Sequence, residues 1–540
     1  MRPDITRMAS WTILASASLC ALAVHLVAAV LPFDDAYIIF RYVENLLRGR
    51  GAVYNAGEHV FGVSSPLYAA WLALLQGTLP GVGLPVLASR CNVVFLVAAG
   101  FLICRLLLRL GFGPLAAALA GGAILISDGV LRASIGGMEA SMYIALMAAA
   151  LLALAARHDT AAVLAASLAS LTRPEGLLLV VTILAAIYIE RRGPGAPRER
   201  KFPLLPLLGL LPLALWAALA TGYYGTPVPH SILAKARPMY PLPAGTALEE
   251  MAARAGHWSL DGPHGVALTV ANSVRADRTR TQPAPRWFFD CAGAALFFWT
   301  MWRWWRPLTP GRSLRMLALP LYLLLLVGFY AVTNPLLFPW YLPLLQCPMI
   351  ATVVAAGLGP DGPGAWRRFP GRLALVLILS TAMITFLYSL GNGNWSLLRY
   401  GGGNYSRSLQ MEAYGRAAEW LERNSKPGDT VAATEIGLFG YKLDRRILDS
   451  CGLVTPAALP FLPVPRSQRS NELIVMSVDF VRATHPDFIM SLPAYIRSSL
   501  LNSDWFSSTY EQVQEIPCVT GNPRFYAALI FRRRSRSVSE

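Results

Sequence analysis

Apolar runs recur through the first 390 residues at a length set by a lipid bilayer. A helix needs about 20 mostly apolar residues to cross the hydrocarbon core, with about 17 as a lower bound. Segments 9–31, 86–108, 138–156, 203–221, 314–332, 340–357 and 371–390 meet that length clearly, and 111–127 and 288–305 meet it adequately. Segments 160–172 and 176–190 are shorter and flank the break TRPEG, so they read as a pair of short spans. The pattern predicts about 11 spans. Segment 9–31 has no convincing small-residue cleavage site before LPFDD, so it is expected to stay as an anchor.

Between the spans the period changes. AYIIFRYVENLLRG (36–49) has apolar residues at helical spacing with a polar face, and SPLYAAWLALLQGTL (65–79) is an apolar helix too short to span comfortably. Both are expected to lie along the membrane surface. Beyond residue 390, AYGRAAEWLERNSKPGD reads as an amphipathic helix closed by a Pro-Gly turn. GDTVAATE, RRILDSCGL, PDFIMSL and RFYAALIF read as strands, which makes a small α/β domain. The expected fold class is a polytopic α-helical membrane protein with a C-terminal extracytoplasmic α/β domain. Residues 1–390 form the membrane domain, with outer loops 32–85 and 222–286, and residues 391–540 form the outer domain.

Charge changes this picture only by orienting it. Charged residues are 14% of the chain, against about 25% in a soluble domain. The net charge of +16 would suggest nucleic acid, but much of it lies in the short loops ERRGPGAPRERK, RWWRPLTPGRSLR and WRRFPGR. That is the positive-inside pattern, which sets topology and removes nucleic acid as a partner. The N-terminus then lies in the cytoplasm, Asp34 and Asp35 emerge outside, and the region after 390 is also outside. Five of the seven cysteines (Cys20, Cys91, Cys104, Cys291 and Cys347) lie in or beside spans and read as packing residues. Cys451 and Cys518 fall in the outer domain, where a disulfide and two reduced buried thiols are both open. No CxxC or His-rich metal spacing is present.

The topology gathers the candidate chemistry on one side. Asp34 and Asp35, Glu139 in SIGGMEASMY, Arg173 and Glu175 in LTRPEG, His230 and Lys235 in YYGTPVPHSILAK, and Asn334, Trp340 and Tyr341 in NPLLFPWYLP all fall at outer span ends. Singly, each has a plain explanation: solvated charge, a helix cap, a turn with a local ion pair, a headgroup contact or an interfacial aromatic belt. Together they are costly polar groups at one membrane face. A carboxylate can take a proton from a hydroxyl, and Arg, Lys and His⁺ can hold a phosphate as it leaves. Those are the parts of a transferase acting on a lipid-linked phosphate.

The run DDAYIIFRYVENLLRGRGAVYNAGEHVFGVSSPLY closely resembles the first outer loop of the GT-C superfamily of membrane glycosyltransferases. Within it the chain is similar to the branch of mycobacterial terminal β-(1→2)-arabinofuranosyltransferases. GGMEASMY, LTRPEGLL, YYGTPVPHSILAK, FPWYLP and TEIGLFGYKLDRRILDSCGLVTP extend the resemblance to about residue 456. It implies a helical bundle framing a cavity, a polyprenyl-phosphate sugar donor, a glycan or glycolipid acceptor, and an inverting single displacement at the outer face of the cytoplasmic membrane.

By the resemblance Asp34 is the general base, with Asp35 able to exchange roles, and Asp35 and Glu139 orient the acceptor or the site. Arg41, Arg173, His230 and Lys235 are its candidates for the donor phosphate, and Glu175, Tyr224, Trp340 and Tyr341 for substrate contact. Relatives commonly carry Leu-Pro-Asn where this chain has Val228-Pro229-His230, a change that bears on the donor or the pH response. Arabinose is carried over from the characterised relatives. Some superfamily members bind a divalent metal; two adjacent acids make no ligand set, so no cofactor is assigned. The competing readings are a transporter or flippase of lipid-linked sugars, which needs broken helices and charges near the midplane, and an outer-face transferase of phosphoethanolamine or acyl groups.

Overall fold

The computed structural model describes residues 5–192, 204–236, 242–249, 314–358, 396–469, 474–518 and 525–534, with a few isolated positions between them. The chain divides into two compact units. The first comprises 1–30, 88–215 and 243–402, and the second 31–87, 216–242 and 403–540.

The first unit is helical. Among the described residues, five helices of the chain are long and apolar enough to cross a membrane: Thr6–Val27, Leu84–Arg109, Leu205–Tyr224, Arg315–Thr333 and Pro339–Ala356. The predicted span 111–127 continues instead as a pair, Pro114–Leu125 and Asp128–Ile135, bent by 49°. Ser127 stands in extended conformation at the bend, and Asp128 pairs with Arg132 one turn on at 3.0 Å. Two more predicted spans appear as the shorter apolar helices Ala140–Ala155 and Asp159–Ser170. The runs 288–305 and 371–390 lie almost wholly outside the described residues. Small residues set the packing, as between membrane helices generally: a Cβ on Gly121 would strike the carbonyl of Gly100. The chain is a polytopic helical membrane protein with a small C-terminal α/β domain.

The second unit is built on a five-stranded sheet, ordered β2-β1-β3-β5-β4. Its strands are β1 (Thr430–Ala433), β2 (Arg446–Asp449), β3 (Phe488–Ser491), β4 (Tyr510–Pro517) and β5 (Ala527–Arg533). β1 pairs in parallel with β2 and β3, while β5 pairs antiparallel with β3 and β4. The four predicted strands are β1, β2, β3 and β5. β4 is an edge strand whose mostly polar, partly exposed residues hid it. Ala432, Leu448, Ile489, Leu529 and Phe531 meet Phe480 and Phe506 in the core. The helix Tyr405–Asn424 starts earlier than its apolar pattern, because Asn404 caps it by accepting from the Arg407 amide at 2.8 Å.

The boundary differs from the expected one. Residues 31–87 group with the C-terminal residues, not with the helical unit. Helix Asp34–Leu47 buries 10 of its 14 residues, so it is not an interfacial helix. Tyr37 and Phe40 pack on Tyr441. The Tyr54 hydroxyl donates to the Ile436 carbonyl at 2.6 Å. Asn55 bonds both backbone groups of Ile447, occupying the free edge of β2 as another strand would. Helix Pro66–Thr78 buries only Tyr68 and Leu72.

Candidate functional site

The sequence-derived residues fall into two groups, one in each unit. In the second unit, Asp34 and Asp35 open helix Asp34–Leu47, but their environments differ. Asp34 is 2% exposed. Its carboxylate accepts from the Gly437 amide at 3.1 Å and the Leu438 amide at 3.0 Å, in the turn that follows β1. A Cβ at Gly437 would lie against the Asp34 carboxyl carbon, so the turn needs glycine. Asp34 is therefore a clamp between two segments. Asp35 is half-buried and carries none of those backbone bonds.

Arg41 is equally committed. Its guanidinium donates to the carbonyls of Tyr54 at 2.7 Å, Leu443 at 3.0 Å and Arg445 at 2.8 Å, and also to that of Gly440. It lies over the Tyr54 ring at 4.3 Å. It has no geometry left for a phosphate. Tyr224 donates its hydroxyl to the Ala52 carbonyl at 2.8 Å and stacks on Phe61. His230 and Lys235 begin and end the short helix His230–Ala236. Burial lowers the His230 pKa, so the ring is neutral near pH 7, and its Nδ1 has no hydrogen-bond partner among the described residues. Lys235 is exposed.

Glu435, two residues before Gly437, was missed. It is half-buried and accepts from the Tyr495 hydroxyl at 2.8 Å. Its surroundings include Arg407, Asp34 and Asp35, and burial pushes its carboxyl up to about 7 despite Arg407. The available signal was its place: a carboxylate directly after the apolar strand of GDTVAATE.

In the first unit, the break TRPEG presents Arg173 between two carboxylates. Arg173 Nη1 donates to Glu139 at 2.5 Å, and Nη2 to Glu175 at 3.1 Å. Tyr330 donates to Glu175 at 2.7 Å, and Arg173 lies 4.7 Å above the Tyr341 ring. All three charged side chains are buried, one guanidinium against two carboxylates. The other oxygen of Glu139 has no hydrogen-bond partner among the described residues. An anion gains little from such a group, whereas a hydroxyl donor fits the open oxygen. Tyr330 lies inside an apolar run and gave no sequence signal. Trp340 is buried and stacks on Phe338 at 4.7 Å. Asn334, in left-handed conformation, ties the Ala247 amide and the Pro243 carbonyl.

Among the described residues no group of three or more His, Cys, Asp or Glu side chains is placed to hold a metal ion. Cys451 and Cys518 both stand as buried free thiols in this structure.

Residues 403–534 match the family described as a domain of unknown function, DUF8728. No curated protein matches the sequence. Among solved structures, the chain is similar to ArnT from Cupriavidus metallidurans bound to undecaprenyl phosphate, with TM-score 0.55 and 11% identity over 97% of this chain and 98% of that one. It is also similar to the oligosaccharyltransferase AglB from Archaeoglobus fulgidus in complex with an inhibitory peptide and a dolichol-phosphate. That match has TM-score 0.53 and 12% identity over 100% of this chain and 75% of AglB. At these identities the likeness shows a shared fold.

Proposed function

We propose that the chain is an inverting membrane glycosyltransferase that moves a sugar from a polyprenyl-phosphate donor to a glycan or glycolipid acceptor. Arabinofuranose is the first sugar to test. The observation that carries the reading is the end-to-end fold likeness to ArnT, whose structure holds undecaprenyl phosphate. The reaction takes place at the extracytoplasmic face of the cytoplasmic membrane.

Of the two adjacent acids, Asp35 is the base. Asp34 spends its carboxylate on two backbone amides, while Asp35 is half-buried. Asp35 takes the proton from the acceptor hydroxyl. That oxygen bonds to the anomeric carbon as the bond from carbon to phosphate oxygen breaks, and polyprenyl phosphate leaves. Lys235 and His230 are the groups assigned to the leaving phosphate, His230 as a neutral donor. Arg41 drops out because carbonyls occupy its guanidinium, and Arg173 because two carboxylates already neutralise it.

Reconstitution with radiolabelled polyprenyl-phosphate sugars and mixed glycan acceptors tests the reading. Label should pass to the acceptor with wild type and fail with Asp35→Asn. The transporter reading draws on the bent pair Pro114–Leu125 and Asp128–Ile135 with its buried ion pair. Movement of intact donor lipid across the bilayer without label transfer would favour it.

A further inference from the structure

The parallel part of the small sheet has a switch point. β1 lies between β2 and β3, so the chain leaves β1 toward one side and later returns to the other. Open α/β sheets bind ligands in the crevice outside the carboxyl ends of their strands at such a point. Here that edge is polar. Thr434 and Glu435 follow β1, Ser450 and Cys451 follow β2, and Tyr495 comes four residues after β3. Tyr495 donates to Glu435 at 2.8 Å, and the hydroxyls of Ser450 and Thr434 are 3.4 Å apart. The Asp34 clamp brings the first turn of helix Asp34–Leu47, with Asp35, to the same edge.

Helix Tyr405–Asn424 supplies the other wall. Arg407 has Glu435 and Asp34 as its main charged neighbours. Tyr414, two turns on and on the same helix face, is influenced by Glu435, Tyr495, Arg407 and Asp34. It is fully buried, and its hydroxyl has no hydrogen-bond partner among the described residues. Asp35, Arg407, Glu435 and Tyr495 are each half-buried, so the recess opens to solvent. Three carboxyl groups against one guanidinium disfavour a phosphate. Carboxyl oxygens that accept, beside the Tyr414 hydroxyl that can donate, match the vicinal hydroxyls of a sugar.

We propose that this strand-end crevice binds a neutral glycan, with Asp35 and Glu435 accepting sugar hydroxyls and Tyr414 donating its open hydroxyl. Only the naming of that glycan as the acceptor rests on the glycosyltransferase reading.

The test uses the full chain in lipid nanodiscs and a panel of neutral arabinan, mannan and galactan oligosaccharides, with binding followed by ligand-observed NMR. Glu435→Gln and Tyr414→Phe preserve shape, and near-UV circular dichroism checks folding. One panel member should bind wild type, weaken about tenfold in Glu435→Gln and about fivefold in Tyr414→Phe. Undecaprenyl phosphate, titrated separately, should bind all three proteins alike. No binding by any panel member, or glycan binding that neither folded variant changes, overturns the proposal. So does magnesium or manganese binding that Glu435→Gln abolishes in the absence of glycan binding. Glycan binding lost in the variants without sugar transfer from any donor would leave this site standing and sink the glycosyltransferase reading. Transfer with unaltered glycan affinity would do the reverse.

Discussion

Asp34 holds the amide of Gly437 at 3.1 Å, and this bond joins the first turn of helix Asp34–Leu47 to the turn after the first strand of the C-terminal sheet. The same carboxylate takes the Leu438 amide at 3.0 Å. A side chain used in this way is a structural anion, and the base role is proposed for its half-buried neighbour Asp35. Asp34→Asn should therefore destabilise the protein by about 1–3 kcal/mol, because one amide oxygen replaces two charged acceptors. Asp35→Asn should cost less stability than Asp34→Asn and cut transfer by about 10²–10⁴-fold. Paired thermal melts and transfer assays separate the two. Loss of transfer in a fully stable Asp34→Asn protein, with Asp35→Asn active, would reverse the assignment.

Arg41 offers a second separation of fold from function. Arg41→Met should remove a donor from four carbonyls, three of them buried, and each buried carbonyl left without a partner costs about 1–3 kcal/mol. The expected result is strong destabilisation or misfolding, read by protease sensitivity of the C-terminal domain. A stable Arg41→Met protein with weakened affinity for undecaprenyl phosphate would return Arg41 to the phosphate site.

The Arg173 group should behave as a buried network. Arg173→Gln leaves Glu139 and Glu175 facing each other without a counter-charge, a loss of about 3–5 kcal/mol. Adding Glu139→Gln should recover part of that stability, because the repulsion goes with the charge. A double-mutant cycle on melting temperature measures the coupling, and simple additivity would contradict the network.

Glu435 gives the C-terminal domain a pH dependence of definite sign. Its folded pKa is raised to about 7, above the unfolded carboxyl value of about 4.3. The folded state thus holds a proton that the unfolded chain has released. This contribution is full below the unfolded pKa and declines as pH rises toward about 7. Thermal melts from pH 5 to pH 8 should show stability falling over the lower part of that range, about 5 to 7, and Glu435→Gln should flatten the slope. A wild-type slope that the variant retains would assign the dependence to another group.

Five of the predicted spans and most of the sheet were legible because bilayer length and strand alternation leave a plain apolar rhythm. β4 was not, since an edge strand with polar residues on both faces has no such rhythm. The helix at 34–47 was legible as a helix, yet its burial was not. An amphipathic pattern looks the same whether the apolar side meets lipid or protein, and Arg41 meets carbonyls such as that of Gly440, 399 residues further along the chain. Carbonyls carry no residue signature. The Asp34–Asp35 pair was found, but adjacent acids differ only in what surrounds them. Glu435 was overlooked because its partners Arg407 and Tyr495 come from separate elements of the C-terminal region.

Sugar transfer from a polyprenyl-phosphate donor is the activity proposed for this protein. The most direct measurement is single-turnover transfer of radiolabel from polyprenyl-phosphate arabinofuranose, and from a panel of other polyprenyl-phosphate sugars, to glycan acceptors by the reconstituted full-length protein. The predicted result is a labelled glycan with inverted anomeric configuration and released polyprenyl phosphate, with Asp35→Asn folded and inactive. Intact donor remaining after incubation with every sugar and acceptor, while the protein is folded and binds undecaprenyl phosphate, would contradict it.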